Sequence, residues 1–340
     1  MSEAATSRDS RTGSHLVSST LRQEMRRDES VLVFGEDVAS MGGVFGATRR
    51  LQKEFGPQRV FDCPISETAF VGMAVGAAQA GLRPVVELMF SDFIGVCFDQ
   101  VANQMAKNRY MSGGRVSVPL VMRTAVGCIG SAAQHSQVLS ATFAHIPGLQ
   151  VVFPSSLGDL QRLLVTAMRS PDPVIFLEHK RLLKARVGQL VVDDAIPTGQ
   201  EVQPAELGRS RIVRSGADCL VVTCGWTVQE SLLAADDLAR SHGMSVGVLD
   251  LRSLVPLDVA GLVDAARDAS YVLVVDEDYQ PYGMTGEVIA TIVERLGRQA
   301  PRLARLATTV PVPASLVLER QVLPYRERIT QALLELTGRG

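Results

Sequence analysis

The stretch FDCPISETAFVGMAVGAAQAG, Phe61 to Gly81, decides how the rest of the chain is read. The extended run Val60-Phe61-Asp62-Cys63 ends at Pro64, because a residue before proline is driven out of the helical region. Ser66 is placed to cap a new helix with its hydroxyl, which puts Glu67 in the first turn. There a carboxylate meets unpaired backbone N–H groups and the positive end of the helix. Gly72, Gly76 and Ala80 recur at four-residue spacing, a strip small enough for another backbone to approach, and Gly81 is placed to stop the helix. A surface acid at a helix start is the plain reading of Glu67. Against it, no other charge stands between Asp62 and Arg83, and a carboxylate held among apolar neighbours is a functional candidate.

Outward from this stretch, short apolar runs alternate with helical periodicity. Upstream, a helix over 16–27 precedes a strand over 30–35, and Glu36 follows at its carboxyl end. Ligands of open α/β sheets collect at strand carboxyl ends, so Glu36 is a candidate contact, with a solvated loop as the alternative. The run Gly42-Gly43-Val44-Phe45-Gly46 is no dinucleotide fingerprint, since no GxGxxG follows a strand here. Downstream come a strand over 83–90, a helix over 98–110 and a strand over 118–124. A further strand over 149–153, a helix over 157–170 and a strand over 173–178 follow. His135, after the small-residue loop 127–133, is a candidate proton shuttle, although a loop histidine is more often simply exposed. His145 has weaker company.

The rhythm breaks over 180–209, a charged stretch with Pro197, Gly199 and Pro204, and resumes over 218–336. The expectation is a two-domain α/β protein, each domain a mostly parallel sheet flanked by helices. The boundaries are a disordered start over 1–13, a first domain over 14–185, a linker over 186–209 and a second domain over 210–340.

The totals exclude several classes. With 340 residues, 46% of them hydrophobic, two cores are affordable in size, and a net charge of −2 gives no footing for nucleic acid or an anionic membrane. No apolar run approaches a membrane span, and the polar start MSEAATSRDSRTGS is no secretory signal. Cys63, Cys97, Cys128, Cys219 and Cys224 are odd in number and form no CxxC pair, which reads as reduced thiols in a cytoplasmic protein. No GxSxG elbow, P-loop or HExxH occurs, and no GDG with a distant asparagine to hold magnesium and diphosphate.

The segments GEDVASMGGVFGATRRLQKEFGPQRVFDCPISE, GLRPVVELMFSDF, FDQVANQMAKNRYMSGG, VPLVMRT, AAQHSQ, HIPGLQVVFP and DPVIFLE, with LRSLVPLD and VPVPASLVLE further on, carry a resemblance. The chain resembles, from about residue 14 to its end, the beta subunit of the decarboxylating component of 2-oxo acid dehydrogenases, the pyruvate, branched-chain and acetoin group. The resemblance implies a pyrimidine-binding domain followed by a transketolase-like C-terminal domain. It also implies an alpha subunit carrying GDG, in a tetramer of two alpha and two beta chains, with thiamine diphosphate between them and Mg2+ held by alpha. Glu67 matches the glutamate that hydrogen-bonds a nitrogen of the aminopyrimidine. Phe93 matches the aromatic stacked on that ring, with Ile65 and Met89 beside it, although core packing accounts for such apolar residues as well. His135 matches the histidine near the reacting carbon, orienting substrate or delivering a proton. Leu120, Ala167, Ser170 and Asp172 fall where some relatives bind an alkali cation such as K+.

Two departures touch the substrate side. The loop 125–131 is a residue shorter than the common pattern, and VLSATFAH follows HSQ where acidic or aromatic residues are expected. The leading expectation is decarboxylation of a small 2-oxo acid such as pyruvate, with acyl transfer to the lipoyl domain of an acyltransferase core. The alternative moves a two-carbon ketol unit from a sugar phosphate to an acyl carrier protein in specialised biosynthesis. A third reading, a non-catalytic scaffold subunit, is opposed by the retention of both Glu67 and His135.

Overall fold

The computed structural model describes residues 9–339. Helix α1 (Gly13–Arg27) leads into strand β1 (Val31–Gly35), α2 (Leu51–Phe55), β2 (Val60–Asp62), α3 (Glu67–Gln79) and β3 (Arg83–Phe90). A π-helical turn (Gln100–Met105) runs into α4 (Ala106–Met111), followed by β4 (Val121–Val126), α5 (Ser140–Ala144), β5 (Gln150–Val152), α6 (Leu157–Arg169), β6 (Val174–His179) and α7 (Lys180–Lys184). Beyond residue 210 come β7 (Arg211–Arg214), β8 (Cys219–Thr223), α8 (Thr227–His242), β9 (Val246–Asp250), β10 (Ser253–Val255) and α9 (Val259–Arg267). Then follow β11 (Tyr271–Tyr279), α10 (Met284–Leu296), β12 (Arg302–Thr308), α11 (Leu316–Val322) and α12 (Arg326–Thr337).

The strands form two sheets. The first has seven strands in the order β10-β5-β6-β4-β3-β1-β2, and the second five in the order β12-β11-β8-β9-β7. All pairings are parallel except β10 on β5 and β7 on β9. Parallel strands are covered on both faces and read as unbroken apolar runs. CLVVT of β8 and VGVLD of β9 are buried throughout for that reason.

The first sheet fixes where a ligand could sit. Strands β4, β3, β1 and β2 are successive parallel neighbours, so their carboxyl ends share one edge. Glu36 follows β1, Glu67 follows β2, Phe93 follows β3 and His135 lies in the loop after β4. That edge is where open α/β sheets bind ligands.

Several local expectations change. The expected disorder over 1–13 covers residues 1–8, outside the described residues, but Asp9 to Gly13 is tied down. Arg11 donates to the Ile196 carbonyl at 2.9 Å, the Val187 amide donates to the Arg11 carbonyl at 3.0 Å, and Thr12 caps α1. Ser66 precedes α3 but does not cap it with its side chain, because its hydroxyl turns back to the Pro64 carbonyl at 2.9 Å. The helix expected over 98–110 does begin at Phe98, which is exposed, but it runs as a π-helical turn over Gln100–Met105 before α4. Inside the expected connection, α7 forms directly after β6, while residues 186–209 hold no helix or strand.

The strand β10 is the main topological finding. It is donated by the second half of the chain, yet it extends the first sheet antiparallel to β5. Buried polar contacts weld the same junction. Arg211 of β7 and Arg252 bind Asp159 of α6 at 2.9 and 2.7 Å. Gln229 of α8 donates to the Ser155 carbonyl at 3.0 Å, and the Ser155 hydroxyl donates to Asp250 at the end of β9.

Candidate active site

Glu67 opens α3 and is buried, although it follows the exposed Pro64 and Ile65. Glu36 is buried beside it. Burial first, and then the negative charge of Glu67, push the Glu36 carboxyl above the ordinary glutamate range, with partial relief from the Ser66 amide. One oxygen of Glu36, Oε1, is buried without a hydrogen-bond partner. An orphaned buried acceptor signals a missing donor. Cys97 lies on the same acidic corner: burial, and then Glu67, push its thiol up to about 12. This thiol is therefore inert as a nucleophile at neutral pH.

The turn Ser91–Gly95 joins this corner to the histidine. Thr68, the second residue of α3, donates to the Val96 carbonyl, and Cys97 reaches the Phe93 carbonyl at 3.9 Å. Phe93 stands edge-on to Phe90 at 5.6 Å and to the His135 imidazole at 5.7 Å, and Phe90 meets the same imidazole at 5.2 Å. Met89, half-buried, sits where the β3–β4 register slips between Leu88 and Phe90. Such a bulge re-aims a strand's side chain. Core packing explains the seat of Phe93 against the apolar cluster, but not Ile65, which is 86% exposed.

The loop that carries His135 is held from both halves of the chain. The Cys128 amide donates to Glu277 at 2.8 Å and the Gly130 amide to Glu319 at 2.6 Å. Beyond the loop, Ser140 and the Ala141 amide donate to Asp278 at 3.0 and 3.1 Å. From the first half, Asp92 accepts from the Gln137 side chain at 2.9 Å, and Arg181 donates to the Cys128 carbonyl at 3.0 Å. Glu277 also accepts from His179 Nε2 at 2.8 Å, while His179 Nδ1 accepts from the Arg181 amide at 3.1 Å. Burial opposes ionisation of Glu277. The attraction of His179 and the hydrogen bonds outweigh it and hold the carboxyl below its ordinary range. Asp276, the preceding residue, accepts from the Asp278 amide at 3.2 Å but has no cationic partner among the described residues, and burial and then the charge of Asp278 push it well up.

None of these holding residues was singled out by sequence reasoning. The run Asp276-Glu277-Asp278 at the end of an apolar strand was the available signal. His145, weighed with His135, lies apart on an exposed groove shared with Tyr282 and Glu287.

The residues expected at an alkali cation gather at the far end of α6. Ser170 donates to the Asp172 carbonyl at 2.9 Å, the Ala167 carbonyl accepts from the Ser170 amide at 3.2 Å, and the Leu120 carbonyl accepts from the Val174 amide at 2.9 Å. The Asp172 carboxylate is paired with Arg109. Among the described residues no group of three or more His, Cys, Asp or Glu side chains is arranged to hold a metal ion.

Two parallel-sheet α/β units, with an acid following β2 and a histidine following β4, define a transketolase-like subunit. The transketolase pyrimidine-binding domain matches residues 10–186, and the transketolase C-terminal domain matches residues 208–329. The chain belongs to the family of beta subunits of the thiamine diphosphate-dependent decarboxylating component of 2-oxo acid dehydrogenases. It is 40% identical to the acetoin:2,6-dichlorophenolindophenol oxidoreductase subunit beta of Cupriavidus necator, over 93% of this chain and 94% of that one. It is 38% identical to the mitochondrial pyruvate dehydrogenase E1 component subunit beta of Drosophila melanogaster, over 95% and 88%. The corresponding subunit of Bacillus subtilis is 39% identical over 88% and 90%. Among solved structures, a split-gene transketolase in an inactive tetramer of beta chains superposes with a TM-score of 0.77, covering 95% of this chain and 97% of that one. At 19% identity this likeness bears on the fold alone.

Proposed function

We propose that this chain is the beta half of a dehydrogenase that decarboxylates a small 2-oxo acid such as pyruvate and passes the acyl group to a lipoyl domain. The observation that carries the reading is the buried pair Glu36 and Glu67 after β1 and β2, with Phe93 and His135 after the next two strands of the same edge. A nitrogen-bearing planar ring asks for an acidic partner, a free acceptor and an apolar face. Glu67, the unpartnered Glu36 Oε1, and Ile65, Met89 and Phe93 fit those three demands. The aminopyrimidine of thiamine diphosphate is such a ring.

When bound, thiamine diphosphate supplies the carbon nucleophile and the electron sink for decarboxylation. Glu67 holds a pyrimidine nitrogen and shares a proton with it, aided by the amides at the start of α3. Ile65, Met89 and Phe93 cover the ring and exclude water. His135, fixed between ring edges, orients the substrate and delivers a proton during acyl transfer. The diphosphate and Mg2+ fall to an alpha subunit, since this chain carries no GDG element. The acyl acceptor is the lipoyl domain of a partner acyltransferase.

The test is reconstitution. Co-expressed with its alpha partner and given thiamine diphosphate, Mg2+, pyruvate and a lipoyl domain, the complex yields acyl-lipoyl product detected by mass. No product across straight and branched 2-oxo acids would overturn the substrate assignment.

A further inference from the structure

We propose that Lys180 is a positioning residue for His135, setting the imidazole through its carbonyl and through the ring of Phe90. The proposal rests on the reading of His135 as the group that serves acyl transfer. Lys180 begins α7, directly after β6, and is completely buried. Its Nζ donates to the main-chain carbonyl of His135 and stands 4.7 Å from the centroid of Phe90. Phe90 in turn lies edge-on to the imidazole at 5.2 Å. One ammonium therefore grips the residue from behind, by backbone and by side-chain neighbour at once.

The chemistry argues that this is no filler. An ammonium taken out of water needs compensation, and a methionine would fill the same volume without that cost. Here three donors find one carbonyl and one ring face. The other side-chain ties that reach the loop from outside it end on Cys128, Gly130 and Gln137. Lys180 alone among them ties down His135 itself. The small residues Ala132 and Ala133 before it offer little packing, and Ala132 adopts φ +67°, a strained value for a residue with a Cβ. Burial lowers the Lys180 pKa below the ordinary lysine range, opposed by the charges of Asp92, Glu277 and Glu319.

The test is a double-mutant cycle on the complex with the alpha subunit, read as acyl transfer from pyruvate to a lipoyl domain. Lys180→Met and Lys180→Gln should lower kcat by about 10- to 100-fold, with KM and the thiamine diphosphate Kd within about twofold of wild type. In a His135→Ala background, adding either change should cost no more than about another twofold, because both act through one group. Independent losses that multiply would overturn the proposal. So would failure of both variants to assemble, which would assign Lys180 to folding. Hydrogen–deuterium exchange of the resting complex reads the contact without turnover. The loop 127–137 should exchange at least ~10-fold faster in Lys180→Met, and unchanged exchange would also overturn the proposal. A complex that transfers no acyl group, yet shows that faster exchange, would sink the functional reading and leave the positioning role standing.

Discussion

In the function proposed above the chemistry turns on Glu67, and the setting of this residue suits a carboxylate that holds a ring nitrogen. It is buried at a helix start, beside a second acid that burial keeps from ionising easily. Replacing Glu67 with Gln keeps the shape and removes the ability to share a proton with a ring nitrogen. Turnover of the Glu67→Gln complex should fall by at least ~100-fold, as measured by product formation with the alpha partner present. Undiminished turnover would favour a scaffold role. This acid was legible from the sequence, because Pro64 and the small-residue run after it mark a strand end and a helix start. The cap was not: Ser66 had a nearer acceptor in the Pro64 carbonyl, a choice made by local backbone geometry.

At the scale of elements, the loop after β4 shows how a close approach dictates sequence. Gly127 has φ +86°, and a Cβ there would lie 2.0 Å from His179 Nε2. That nitrogen is the one bound to Glu277, so the clash falls on the contact between β6 and β11. Gly127→Ala should destabilise the protein by roughly 2–4 kcal/mol, seen as a lower thermal midpoint. A midpoint equal to wild type would show that the loop can yield. Strands and helices of this chain were largely readable from apolar runs, as α8 over Thr227–His242 illustrates. The misses are short pieces, β7, β10, α2, α5, α7 and α11, whose stability comes from what they pack against rather than from their own pattern.

At the scale of the molecule, the two sheets are joined by polar groups centred on the buried Asp159, Ser155 and Asp250. Asp250 is fully buried, and burial, then the charge of Asp159, push its carboxyl up to about 7. Its neutral form suits the fold, so the associated stability is complete below the unfolded value of 3.8 and is lost as pH rises through about 7. Ionising a carboxyl held near 7 instead of 3.8 costs roughly 4 kcal/mol. Asp250→Asn should therefore raise the thermal midpoint most at about pH 8.5, raise it by roughly a third as much near pH 5, and leave it unchanged below the unfolded value of 3.8. A variant that melts below wild type at the higher pH would contradict the assignment. The sequence by itself determined the two α/β units, the strand ends and the acid and histidine that follow them, because periodicity and proline-glycine punctuation are local properties. Only the tertiary structure decided that β10 crosses to the first sheet and that Lys180, Glu277 and Glu319 grip the histidine loop. Those contacts join residues 45 to 189 positions apart. No local pattern encodes a meeting that depends on how two separately covered sheets dock.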